Sequence, residues 1–473
     1  MQDYGHSRKR HEGVALPSSR CAVKLWPKNR TLPRRSRIDC EGAIGYVAPT
    51  PMTSTSTADT STPASSPCAP LAGRYVALVH PAWHSCGTYR VVLGQIAAYR
   101  ALGARVFPVA VATDPGFAPR RSWIWRSFVR ATPELSDGPR YFAGAPFHAA
   151  LAPSFLKNVL WPYLHGDQAA IRSGLAERAL LSKELQGRTF DLVHCNHFFL
   201  MPVARRLGRG AAKILLDSHD LQARQFALMN ERTPWLRPRV SYEAMLAQEI
   251  AAMAQADVLI HLNAQEKQDF ERLLPQKTHA LLYPAVPEAP TGPGGEEVVL
   301  LASNNSANVE SVIWFLREVV PRAPGVAVKI VGNVDAGVRA RDGALYERHR
   351  AWFAGRVEDP AAVYANAKAA LLPTISGHGL SIKTVEAMAS GLPLVATRLA
   401  LRGMDEASLA LEGVAVADDP ETFAAALRAL AARPIPSPAN RRASAARAYY
   451  EAYFSQEAYR RDLLRLVRGD VVK

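Results

Sequence analysis

From about Arg74 onward, short apolar runs alternate with longer stretches whose apolar residues recur at helical spacing. YVALVHP is a continuous apolar run, the pattern of a strand buried on both faces. SCGTYR follows as a turn, and VVLGQIAAYRALG then has the period of a helix closed by Gly103. RVFPVAVAT predicts the next strand. DLVHCNH, AKILLDSHD, ADVLIHLN and HALLYPAV are further short apolar runs ending in polar residues, with helical segments between most of them. Such alternation predicts a doubly wound parallel sheet.

A second series begins beyond PEAPTGPGGEE (residues 287–297), a Pro/Gly-rich stretch that suits a domain boundary. VVLLAS predicts a strand and NVESVIWFLREVVP a helix, with Asn308 as its N-cap. VAVKIVG, WFAG, AALLP, LPLVAT and GVAVA predict further strands, and DDPETFAAALRALAA a helix. The expected organisation is an α/β chain with Rossmann-like domains over 71–286 and 298–436, joined by the 287–297 linker. Residues 437–473 form a last helical stretch with a basic face. Residues 1–70 are predicted to be a disordered tail, because PTPMTSTSTADTSTPASSPCAP has too little apolar surface to offset ordering. Met52 leads into the first strand, so translation is expected to start there.

Composition narrows the class. The 48% hydrophobic and 21% charged fractions are those of a globular chain, and no apolar run is long enough to span a bilayer. The N-terminus lacks the apolar core of a secretory signal. Its five cysteines, Cys21, Cys40, Cys68, Cys86 and Cys195, have no zinc-like spacing, which points to a reduced, cytoplasmic setting. The net charge is +15, of which residues 1–51 contribute six through ten Lys/Arg against four Asp/Glu. The remaining basic excess suits binding of diphosphates or work at an anionic membrane face. No zinc finger or aromatic RNA-binding pattern accompanies it, so a nucleic-acid partner is not expected.

The candidate chemistry sits in AALLPTISGHGLSIKTVEAMASGLPLVAT. A strand ends at Pro373, a loop containing Gly377, His378 and Gly379 follows, and a helix runs from about Ser381 to Ser390. Glycines let a backbone approach a ligand closely, and the amides of a helix start favour a diphosphate. Lys383 in the first turn adds positive charge, and Glu386 shares its helix face and can accept two hydroxyl hydrogen bonds from a ribose. The bland alternative is a turn shaped by two glycines beside a solvated Lys–Glu pair.

The string GHGLSIKTVEAMASGLPLVAT resembles the donor-site signature of group 1 glycosyltransferases, which are retaining enzymes of GT-B fold. NVESVIWFLREVVP, VAVKIVG, FAGRVEDPAAVYANAKAALLP and ADVLIHLNAQEKQDF agree with it. The resemblance implies a donor site of Gly377, His378, Gly379, Leu380, Lys383 and Glu386, with Glu386 on the donor ribose. Where the family places a first glutamate against the transferred sugar, this chain has His378, and Gly377, Gly379 and Lys383 fit a G-x-G-x-x-x-K version of the loop. The family's Arg and Lys diphosphate clamp is replaced by SNNSAN, which makes Asn304 and Asn305 the implied hydrogen-bond donors.

In the first domain the resemblance places Gly87 and Thr88 in a loop facing the cleft. It sets His219 and Asp220, after Asp217, at a strand end near the reacting sugar. A His–Asp pair there positions hydroxyls or shuttles a proton; alternatively, Asp220 caps a helix beside a buried histidine. His194, Cys195, Asn196 and His197 suit cleft lining better than a metal, and no metal or other cofactor is expected. RRSWIWRSFVR (residues 120–130) suits either attachment to an anionic membrane or a helix packed on the domain with solvated arginines. The implied partners are a nucleotide sugar and a glycan or lipid-linked acceptor, as in polysaccharide or glycolipid synthesis. The implied place is the cytoplasm or the inner face of its membrane. Two other readings stay open, a sugar-nucleotide epimerase and a degenerate GT-B protein serving as a binding or assembly subunit.

Overall fold

The computed structural model describes residues 69–84, 86–113, 121–209, 212–231, 233–357, 359–377 and 379–470. The predicted disordered tail up to residue 68, Met52 and His378 lie outside them. The first sheet contains β1 (Tyr75–Pro81), β2 (Arg105–Val111), β3 (Tyr141–Ala143), β4 (Leu192–Asn196), β5 (Lys213–Asp217), β6 (Val258–His261) and β7 (Thr278–Leu281). The second contains β8 (Glu297–Leu301), β9 (Val328–Val331), β10 (Phe353–Gly355), β11 (Ala367–Leu372), β12 (Leu394–Ala396) and β13 (Val414–Val416). Their spatial orders are β3-β2-β1-β4-β5-β6-β7 and β10-β9-β8-β11-β12-β13, and every pairing is parallel. Each strand read from an apolar run is present. β3 was not among them, because YFA is too short to show a period.

The continuous apolar runs have a direct cause. Ala77 and Val79 enter one core cluster, while Val76 and Leu78 enter another on the opposite face of the sheet. In the second sheet Val299 and Val298 divide in the same way. Both faces are covered by helices, so no position along these strands can be polar without cost.

Eight helices bear on the site and its support: α1 (Gly87–Ala101), α2 (Arg121–Ala131), α3 (Gln222–Glu231), α4 (Tyr242–Met253), α5 (Ala264–Leu273), α6 (Ser306–Trp314), α7 (Ile382–Ala389) and α8 (Gln456–Arg468). α8 returns to the first domain, where Tyr459, Leu463 and Leu466 share a core with Val92 and Ile96 of α1. The Pro/Gly-rich stretch before β8 is strapped down. Buried Arg441 donates to the Gly292 carbonyl at 3.3 Å as well as to those of Tyr364, Ala365 and Ser390, and Arg447 donates to that of Ala289. Among the described residues, no helix is long and apolar enough to cross a membrane.

One sequence expectation changes. α6 begins at Ser306 and its N-cap is Asn305, whose side-chain oxygen accepts the Asn308 amide at 2.8 Å; Asn308 lies inside the helix. Of the stretch 120–130, residues 121–130 lie in α2, with Trp125 packed on Phe128 and Phe142 at ring separations of 6.1 and 5.6 Å. Phe128 is buried, while Arg126 and Arg130 are exposed. Those two rings pack on the core, and the side chains of residues 120–124, Trp123 among them, lie outside the described ones.

Candidate functional site

Strand order reverses between β1 and β4 in the first sheet and between β8 and β11 in the second. Loops at such points diverge to opposite faces and open a crevice beyond the strands' carboxyl ends. In the first domain this brings together the start of α1 and the residues after β4 and β5. Thr88 Oγ1 lies 3.2 Å from His197 Nε2, and the His197 ring stacks on His219 at 4.2 Å and 16°. Gly87 opens α1 beside them. His197 and His219 have φ of 74° and 60°, the only positive values at non-glycine residues among those described. Side chains adopt this conformation at a cost of about 1–3 kcal/mol, and it persists where surrounding contacts enforce it.

The contacts around His219 define its ring. Asn196 Nδ2 donates to the Val79 carbonyl at 3.3 Å, which orients that amide and leaves Asn196 Oδ1 as an acceptor. His219 Nε2, 2.8 Å from Asn196 Oδ1, therefore carries the proton, and Nδ1 is the ring's acceptor. Burial, reinforced by the nearby His194, holds the His219 pKa down at about 3. It is a neutral ring and a hydrogen-bond acceptor. Its carboxylate neighbour is Asp217, not Asp220: the His219 amide donates to Asp217 Oδ1 at 3.2 Å. Burial raises Asp217 to about 8. Asp220 does not cap α3 either, since Glu249 of α4 accepts the amides of Gln222 and Ala223 at 3.0 and 2.8 Å. Asp220 instead reaches the second domain, where a Cβ on Gly379 would come within 3.2 Å of its Oδ1.

His194 is committed to the first-domain core, with Nδ1 3.0 Å from the Tyr99 hydroxyl and Nε2 3.3 Å from Gln95 Nε2. Cys195 is buried one position along β4. Among the described residues, no group of three His, Cys, Asp or Glu side chains is placed to hold a metal ion.

In the second domain the loop after β11 is held by α6. Ser311 Oγ accepts the Ile375 amide at 3.2 Å, and Ser376 Oγ donates to Glu310 at 3.2 Å. Gly377 and Gly379 have φ of 132° and 66°. A Cβ on Gly377 would sit 3.0 Å from the Arg402 guanidinium, and its φ of 132° is one that side chains rarely adopt, so glycine is required there by conformation. α7 begins just beyond, after Leu380. The Ser381 side chain at its N-cap accepts the Thr384 hydroxyl at 2.8 Å and makes no capping bond to an amide. The helix start thus keeps amides without intrahelical partners.

Lys383 and Glu386 do not form the solvated pair. Lys383 Nζ donates to Asn308 Oδ1 at 2.6 Å, and Glu386 faces Arg90 of α1 at 4.0 Å. Burial, with Arg402 nearby, pulls Lys383 down to about 8. Burial also raises Glu386, opposed by Arg90. Asn304 and Asn305 are less available than expected. Asn305 spends its oxygen on the α6 cap and its amide on Ser303, while Asn304 Oδ1 lies 2.3 Å from where a Cβ on Gly337 would be.

Between the domains lies a cavity of about 170 Å³, lined by Asn263 and Glu266 on one side and Gly377, Gly379 and Arg402 on the other. The Ala264 amide donates to the Gly403 carbonyl at 3.1 Å across the same seam. Arg402 Nε and Glu266 Oε2 are buried there without a hydrogen-bond partner. Lys383 and Glu386 do not line this cavity; they approach the loop from α7. Arg402, Asn308 and Glu266 are the residues that sequence reading missed. Only Arg402 left a trace, as the one arginine in LALRGM soon after a strand that reaches the same edge.

Residues 296–433 match the model of the family described as glycosyl transferases group 1. No curated protein matches the chain. Among solved structures, Anabaena Alr3699/HepE in complex with UDP and glucose superposes with a TM-score of 0.54 at 13% identity, covering 84% of this chain and 100% of that one. TarM gives 0.55 at 11% identity, with 84% and 99% covered. The protein described as trehalose-6-phosphate from E. coli bound with UDP-2-fluoro glucose gives 0.54 at 12%, with 84% and 99% covered. At these identities the structural likeness speaks to the fold alone, and the family match speaks to the second domain. Residues 296–433 thus match the group 1 glycosyl transferases, and the chain as a whole has the GT-B fold of the solved structures it resembles.

Proposed function

We propose that this chain is a glycosyltransferase that takes its sugar from a nucleotide-diphosphate donor held by the second domain and transfers it, with retention, to a glycan or lipid-linked acceptor at the first. The observation that carries the reading is the half-buried Lys383 in the first turn of α7, beside an uncapped helix start and the Gly377–Gly379 loop. Free amides, a lysine ammonium and the Arg402 guanidinium converge on one edge, which suits the two charges of a departing diphosphate. Glu386 suits the ribose hydroxyls. The Anabaena and E. coli structures were solved with UDP and glucose and with UDP-2-fluoro glucose, the same donor chemistry.

On the acceptor side, His219 Nδ1 and the Thr88 hydroxyl would orient a sugar hydroxyl. With a pKa near 3, His219 would position that group rather than take its proton at neutral pH. Neither reaction step needs a metal where cationic side chains and a helix start carry the charge.

Calorimetry with UDP, GDP and their sugars tests the donor site. Lys383→Ala is expected to weaken nucleotide binding by roughly ten- to a hundredfold, the worth of a charged hydrogen bond in a shielded site. Equal binding by wild type and variant would remove this loop from the donor site. No nucleotide binding by folded wild type would favour the binding-subunit reading.

A further inference from the structure

Among the described residues, thirteen large apolar side chains are strongly exposed, and nine of them fall between Phe147 and Leu236. Phe147, Leu151, Leu156, Trp161, Leu164 and Leu236 carry most of that surface, with Leu151 64% and Trp161 60% exposed. A monomer in water rarely leaves so many large apolar groups together without a use for them.

Two segments build this surface, and hydrogen bonds join them. The Leu236 amide donates to the Leu164 carbonyl at 3.0 Å, Val240 to His165 at 2.9 Å, and Asn230 Nδ2 to Gly166 at 2.6 Å. The Tyr163 and Trp235 rings meet at 5.2 Å. Beneath them Phe155 and Val159 are buried against Ile171 and Leu175, so the segment is anchored by its inner face while Leu156 and Trp161 point outward. Both segments follow strand carboxyl ends, the first after β3 and the second after β5 and α3. The surface therefore belongs to the edge of the first sheet that also carries Thr88, His197 and His219.

Charge selects the occupant. Residues 147–165 hold Lys157 and no Asp or Glu, and the adjoining loop adds Arg237 and Arg239 against one exposed acid, Glu231, at the end of α3. Lys157 and Arg237 are exposed. A second copy of the chain would set these cations against each other on a molecule already at +15. Aromatic and aliphatic side chains ringed by Lys and Arg match the boundary between acyl chains and anionic headgroups. We infer that the face formed by residues 147–164 and the Leu236 loop docks on an anionic lipid bilayer, presenting the first-domain edge of the cleft to the membrane surface. The inference is independent of which donor the second domain takes.

Co-sedimentation of the full chain with vesicles of equal parts phosphatidylglycerol and phosphatidylcholine, and with phosphatidylcholine alone, tests it. Wild type is expected to pellet with the anionic vesicles and much less with the neutral ones. The triple variant F147S/W161S/L236S should bind the anionic vesicles at least about tenfold more weakly, since withdrawing one large apolar side chain from water is itself worth about that factor. Its nucleotide binding should match wild type, which separates a lost membrane face from a lost fold or a wrong donor site. Should the triple variant also lose nucleotide binding, K157E/R237E replaces it, with the same loss on anionic vesicles expected. Unchanged binding by a folded variant, or no binding by wild type, overturns the inference. So does light scattering that shows a wild-type dimer made monomeric by the triple change.

Discussion

At the scale of single residues, Lys383 shows how burial and function are linked. A solvated lysine would be charged well beyond pH 9, but this one titrates at about 8 because its surroundings exclude water and Arg402 repels it. Diphosphate binding requires the charged form, so donor affinity should be constant up to about pH 7 and fall as pH rises through about 8. Lys383→Arg keeps its charge throughout this range and should abolish the fall, even at lower absolute affinity. Calorimetric titration of UDP between about pH 6.5 and about pH 9 decides it, and parallel curves for the two proteins would remove Lys383 from the site. Asn308 shows the complementary lesson. Its place in NVESV suggests a cap, yet its side chain holds the Lys383 ammonium from the neighbouring helix.

At the scale of elements, α8 ties the end of the chain to its first domain. The hydrophobic stripe Ala458, Tyr459, Leu463 and Leu466 has helical spacing and faces α1, leaving a basic outer face. Leu463 has no exposed surface, and its truncation to Ala leaves a cavity with little means of collapse. Leu463→Ala should cost about 2–5 kcal/mol by urea denaturation. A cost below about 0.5 kcal/mol would mean that α8 is not docked as described. The donor loop is likewise an element-level product, since α6 supplies both Ser311 and Glu310 to hold it.

At the scale of the whole molecule, the first domain carries buried groups of two kinds whose titrations oppose each other. His80, His194 and His219 are held at about 4, 3 and 3 by burial. Their folded values lie below the unfolded value near 6.5, so they cost stability as pH falls below about 6.5. Asp217 and Glu249 are raised by burial to about 8 and 7, Asp220 by burial to about 6, and Glu266 by burial and the nearby Asp220 to about 8. For these the folded pKa exceeds the unfolded one, so stability present below about pH 4 is lost as pH rises toward 8. The histidine slope ends near 6.5 while the carboxyl slope continues, so the thermal midpoint should decline between about pH 6.5 and about pH 8. Glu266→Gln removes one of the titrating carboxyls and should make that decline shallower. A midpoint that rises over this interval in wild type would contradict the buried acid cluster.

The periodicity of the chain by itself determined the class of fold. Strands buried on both faces must be apolar at every position, so they stand out from a single sequence, and the Gly-x-Gly loop before α7 marks the donor edge because few other residues tolerate its backbone. β3 escaped because three residues carry no period. What only the tertiary structure decided is which groups meet. Asn305 rather than Asn308 caps α6, Asp217 rather than Asp220 partners His219, and Arg402 and Glu266 face each other across the domain seam. The first two pairs are neighbours in sequence, where backbone angles decide which of two nearby polar residues takes the role. The third joins residues far apart in the chain, brought together by domain closure. Local pattern encodes neither.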